Sequence, residues 1–134
     1  MSNEIGIAAS NSKSASQWDS SYSVRAYSTY YYTRYEKDGY AYHDITSCSG
    51  GWSRSDSSVT MSQRKVIYGA SGPSYPNGSY VQQNQTMYPT SNSFSYTAPS
   101  SWVAVKTTHA VGVSTWVTLN RGGSTWTLKL INQN

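Results

Sequence analysis

Residues 110–131 read Ala110-Val111-Gly112-Val113-Ser114-Thr115-Trp116-Val117-Thr118-Leu119-Asn120-Arg121-Gly122-Gly123-Ser124-Thr125-Trp126-Thr127-Leu128-Lys129-Leu130-Ile131. Val111, Val113, Thr115, Val117 and Leu119 occupy every second position, and so do Trp126, Leu128 and Leu130. A period of two places alternate side chains on one face of an extended chain, so each run predicts a half-buried strand. Between them, Asn120-Arg121-Gly122-Gly123 supplies residues that tolerate the positive φ of a tight turn. The stretch therefore predicts a long terminal hairpin. Its inner row (Val117, Leu119, Trp126, Leu128 and Leu130) is expected to be buried together with Val103 and Val105.

The same period recurs upstream. From Ser21 to Tyr35, one face carries Tyr22, Val24, Ala26, Ser28, Tyr30 and Tyr32, and the other carries Arg25, Tyr27, Thr29, Tyr31, Thr33 and Tyr35. Glu36-Lys37-Asp38-Gly39 turns the chain, and Tyr40 to Thr46 returns as a second strand. Further strands are expected at Trp52 to Met61, Arg64 to Ala70, Ser79 to Tyr88, Phe94 to Thr97 and Trp102 to Thr107. The Gly/Ser stretch Ser47 to Gly51 reads as a loop, and Pro76-Asn77-Gly78 as a turn. Residues 1–17 are rich in Ser, Ala and Asn, with only Ile5 and Ile7 alternating. They read as a flexible N-terminal arm, with room for a short edge strand, ahead of one domain over 18–134.

Eight or nine short strands with no helix between them must pair antiparallel. They can bury their apolar faces only in two layers or in a closed sheet. The expected fold is an all-β, single-domain antiparallel β-sandwich, with a flattened or open β-barrel as the alternative. Composition agrees. The chain has 134 residues, 13 Tyr and 5 Trp, but only 12% charged residues. Its 3 Leu and 2 Glu leave a helical bundle without its usual residues.

Charge and cysteine narrow the function classes. The net charge is +4, from ten Lys and Arg against six acids. The cations are scattered singly, with Arg64-Lys65 the one adjacent pair, which argues against a nucleic-acid stripe. The single cysteine, Cys48, excludes an intrachain disulfide framework. A surface of Ser, Thr, Asn, Gln and Tyr suits the outside of a cell, so the expectation is a secreted, extracellular, bacterial protein. No basic and apolar leader is visible at Met1-Ser2-Asn3-Glu4, which fits a mature chain carrying an added initiator Met.

The inventory for catalysis is thin. Cys48 with His43 or His109 is the set a thiol enzyme would draw on, but a lone cysteine without clustered cations behaves as a small hydrophobe. Asp38, Asp44 and Asp56 offer no evident acid pair across a cleft. His43, Asp44 and Cys48 make an incomplete and irregular zinc set. The expectation is a non-enzymatic protein with no catalytic residues, metal or cofactor.

The aromatics carry the functional reading. If Tyr22, Val24, Ala26, Tyr30 and Tyr32 pack inward, then Tyr27, Tyr31 and Tyr35 stand outside with Arg25 beside them. Amphipathic rings with a cation among them make a ligand platform. The opposite register would bury Tyr27 and Tyr31 and remove the platform. The expected function is binding of a glycan or protein partner on a cell surface through exposed Tyr and Trp side chains. The alternative is a small toxin or bacteriocin acting on membranes through the Tyr/Ser/Thr-rich hairpin.

Overall fold

The computed structural model describes residues 9–134. Nine strands occur and, among these residues, no helix: β1 Ala9–Trp18, β2 Val24–Lys37, β3 Tyr40–Arg54, β4 Thr60–Pro73, β5 Tyr80–Met87, β6 Ser93–Thr97, β7 Val105–Lys106, β8 Ala110–Arg121 and β9 Ser124–Gln133. They form two antiparallel sheets. The first has the order β1-β2-β3-β6, with β7 also paired to β3, and the second has the order β5-β4-β8-β9. The sheets stay separate and do not close, so the fold is the expected sandwich and not the barrel.

The terminal hairpin lies where its alternation puts it. Gly122 and Gly123 both have positive φ, 54° and 92°, as a two-residue turn between right-twisted strands requires. Val111, Val113, Val117, Leu119, Leu128 and Leu130 are all buried in one core. Each such side chain contributes about 1.5–3 kcal/mol by leaving water. Two expected core residues differ. Val103 is 38% exposed, because its segment lies outside the sheet ladders before β7 begins and its backbone bonds instead to the Gln83 side chain of β5. Trp126 is only partly buried, because its indole N–H reaches out 3.0 Å to the Asp19 carboxylate at the rim.

The first hairpin keeps the expected phase. Val24, Ala26, Ser28, Tyr30 and Tyr32 are buried, and the intervening residues face away from the second sheet. Its turn is Asp38-Gly39, both at positive φ. Tyr22 is the exception. It is 74% exposed with φ of 58°, because the chain turns at Asp19–Tyr22 and the strand starts only at Val24.

Other differences have local causes. Residues 9–17, expected in the arm, form the edge strand β1 with Trp18, paired along its length to β2. Residues 1–8, including Ile5 and Ile7, lie outside the described residues. Ser47 to Gly51 is not a loop but the middle of β3. A β-carbon on Gly50 would run into the Tyr27 carbonyl and the Phe94 ring, so glycine is there for close approach and not for a turn. The expected strands Trp52–Met61 and Arg64–Ala70 are instead the end of β3, a connection, and one long β4. The pattern breaks inside β4 because a bulge between Ser62 and Lys65, with Gln63 at φ 53°, moves the inner face from odd to even positions. A second bulge, at Thr46, does the same in β3 and turns His43 and Ile45 inward.

Gly50→Ala is therefore expected to destabilise the protein by about 1–3 kcal/mol, the usual cost of overpacking. Chemical denaturation measures it. A neutral effect would mean that β2 and β6 do not close on Gly50.

Candidate functional site

The outer face of the first sheet is a field of hydroxyls crossed by one line of rings. Strand register sets it out in rows. Ser16, Tyr27, Gly51 and Ser93 form one row, Ser14, Thr29, Ser49 and Ser95 the next, and Ser12, Tyr31, Ser47 and Thr97 the third. Neighbouring strands lie about 4.8 Å apart and successive rows about 6.7 Å, so the hydroxyls make a regular two-dimensional array.

All four residues expected at a binding face, Arg25, Tyr27, Tyr31 and Tyr35, project on this side from β2. The ten residue steps from Arg25 to Tyr35 span ~33 Å at about 3.3 Å per residue. The line has three parts. At one end the Arg25 guanidinium lies 5.5 Å from the centre of the Tyr27 ring. Arg25, Tyr27, Ser14, Ser16 and Thr29 line an open recess of about 500 Å³. The Ser14 and Thr29 hydroxyls are already 2.7 Å apart. In the middle stands Tyr31, 42% exposed. At the far end Tyr35 is not free: it stacks on Tyr75 at 4.8 Å, and Tyr42 meets the same ring edge-on at 5.6 Å. Tyr35 and Tyr75 there form the wall of a smaller recess, about 190 Å³, with Asp44, Trp102 and Ala104. Burial raises the pKa of the Asp44 carboxyl from its ordinary value.

Three contributors escaped the sequence reading. Trp18 pairs with Arg25 across the strands and is 40% exposed, beside Tyr22 at 6.4 Å. The hydroxyls of β1 were hidden in the supposed arm, although Ser10, Ser12, Ser14 and Ser16 recur at period two. Trp102, read only as part of a short strand, lines the second recess through the register of its loop.

The groups considered for catalysis lie elsewhere. Cys48 is fully buried, and burial pushes its thiol up to about 12. His43 is buried and stacked on Tyr32 at 3.7 Å, with its Nδ1 3.3 Å from the Tyr30 hydroxyl. His109 is exposed and sits edge-on to Tyr80. Among the described residues no three His, Cys, Asp or Glu side chains converge as a metal cluster. The thiol is expected to resist labelling by a thiol reagent in the native protein, with reaction only on unfolding. Rapid labelling without denaturant would place Cys48 at the surface.

No protein-family model matches this chain, and neither a curated protein nor a solved structure matches it significantly. The outer face must therefore be read from its own chemistry.

Proposed function

We propose that the protein is a non-enzymatic, secreted bacterial binding module that takes an uncharged glycan chain of a cell surface along β2. The observation that carries this reading is the common orientation of Arg25, Tyr27, Tyr31 and Tyr35, with a hydroxyl-lined recess at one end and the Asp44–Trp102 recess at the other. Sugar rings present apolar C–H faces, which stack on Tyr and Trp, and hydroxyl rims, which need donors and acceptors. The Ser and Thr rows supply neutral partners, and Arg25 and Asp44 supply stronger charge-assisted ones. A face ~33 Å long suits several successive sugar units better than a single one.

The membrane-inserting alternative draws less support. The inner side chains of the β2–β3 hairpin, including Val24, Tyr30, Tyr32, Ile45 and Trp52, make up one wall of the core. Releasing the hairpin would unfold the sandwich.

A glycan array followed by calorimetry tests the proposal. Arg25→Gln and Tyr27→Ser are each expected to weaken a neutral oligosaccharide by about tenfold or more. Added salt should change little, because the ligand is uncharged. A protein that retains no neutral glycan, or whose binding ignores both substitutions, would refute it.

A further inference from the structure

We infer that a second saccharide site, specific for an acidic sugar, lies on the opposite side of the sandwich, on the outer face of the second sheet. It does not rest on the reading of the first face. Three successive rows of that face build it. Lys65, Trp116 and Lys129 are register partners across β4, β8 and β9, and their two ammonium groups lie 5.1 and 5.3 Å from the centre of the Trp116 ring. The next row is Ile67, Ser114 and Ile131. In the third, Gly69 faces Gly112, with Asn84 on one side and Gln133 on the other.

The glycine pair leaves backbone as a floor, and the result is a trough of about 130 Å³ walled by Ile67, Asn84, Ser114 and Gln133. The trough is slightly smaller than the cavity of about 150 Å³ that holds a benzene ring, so it seats one edge of a six-membered ring and leaves the rest in solvent. Side-chain amides and Ser hydroxyls in its walls suit sugar hydroxyls. Two rows further along the sheet, about 13 Å from the glycine pair at about 3.3 Å per residue, Trp116 offers its indole as a stacking surface for a later ring of the same chain. There the two lysines provide positive charge for a carboxylate, phosphate or sulfate on that ring.

Charge complementarity sets the ligand class. The four strands of this sheet hold Arg64, Lys65, Arg121 and Lys129 and not one Asp or Glu. Arg64 is engaged by Asn92 and Arg121 by Asp56, whereas neither lysine has an acidic partner among the described residues. A purely electrostatic surface would need no trough beside the charges, and this favours a saccharide over a lipid headgroup layer.

The test is retention on immobilised polygalacturonate, a phosphorylated mannan and a sulfated dextran, which separate the three acidic groups. Fully methyl-esterified pectin is the uncharged control, and polyglutamate is the anionic control without sugar rings. Retention is expected on at least one acidic polysaccharide, weaker by about tenfold or more on both controls. Lys65→Gln with Lys129→Gln, and separately Trp116→Ala, should each lose about tenfold, with an unchanged melting temperature and unchanged retention in Tyr27→Ser. The proposal is overturned by failure on all three acidic polymers, by equal retention on either control, or by indifference to the lysine and Trp116 substitutions. Binding to phosphatidylglycerol vesicles in place of the acidic polysaccharides would overturn it too. Neutral-glycan binding lost in Tyr27→Ser is a separate readout, so the two sites succeed or fail independently.

Discussion

Replacing Asp19 with Ala should destabilise the protein by about 3–5 kcal/mol, because several donors at a buried turn lose their acceptor together. The Asp19 carboxylate accepts from the Ser23 and Val24 amides at 2.7 and 2.9 Å, from the Ser21 amide and hydroxyl, and from the Trp126 indole at 3.0 Å. It thereby fastens the turn before β2 to the start of β9, ties the two sheets together, and stands only 4% exposed. Burial alone would raise its pKa, but the hydrogen bonds from Ser21, Val24 and Ser23 outweigh this and hold it well below the usual carboxylate range. Its contribution is present above the ordinary value of 3.8 and is lost as pH falls below it. Denaturant melts of Asp19→Ala, Trp126→Phe and the double variant measure this. A coupling of about 1–2 kcal/mol between the two positions is expected for the shared bond. A near-neutral Asp19→Ala would contradict the arrangement.

The second large effect is a loss of stability on acidification that comes from His43. The ring is 4% exposed between Tyr30 and Tyr32. Burial, followed by the positive charges of Arg34 and Lys13, pushes its pKa down from 6.5 to about 4. Between those values the unfolded chain binds a proton at His43 that the folded chain does not, so stability rises with pH across that window. It is full above pH 6.5 and falls by about 3 kcal/mol by pH 4. His43→Gln keeps a polar partner for the Tyr30 hydroxyl but cannot titrate, and should flatten the slope. An equal slope in the variant would place the acid sensitivity elsewhere.

How far the sequence alone reaches can be judged residue by residue. The terminal hairpin and the phase of β2 were legible because unbroken alternation with a Gly-Gly or Asp-Gly turn leaves few other solutions. The sandwich followed from strand count without helices. What escaped detection sits where a local rule is broken for a distant reason. Gly50 and Gly51 read as a loop because their role, close approach of Tyr27 and Phe94, is set by residues far away in sequence. Gln63 and Thr46 shift the phase within a strand, and nothing in their side chains announces a bulge. β1 looked like an arm because an edge strand over a polar face needs no apolar row. The candidate face was legible in Arg25, Tyr27 and Tyr31, but not in the stacking of Tyr35 on Tyr75 or the arrival of Trp102, which depend on how the connections fold over the sheet end.

The central claim is that the outward rings of β2 serve binding and not packing. Replacing Tyr27 and Tyr31 together with Ser separates the two. Equilibrium denaturation and neutral-glycan calorimetry on the same variant should show stability within about 1 kcal/mol of the parent, as for surface substitutions, together with loss of binding. A loss of several kcal/mol, or full affinity in the double variant, would contradict it.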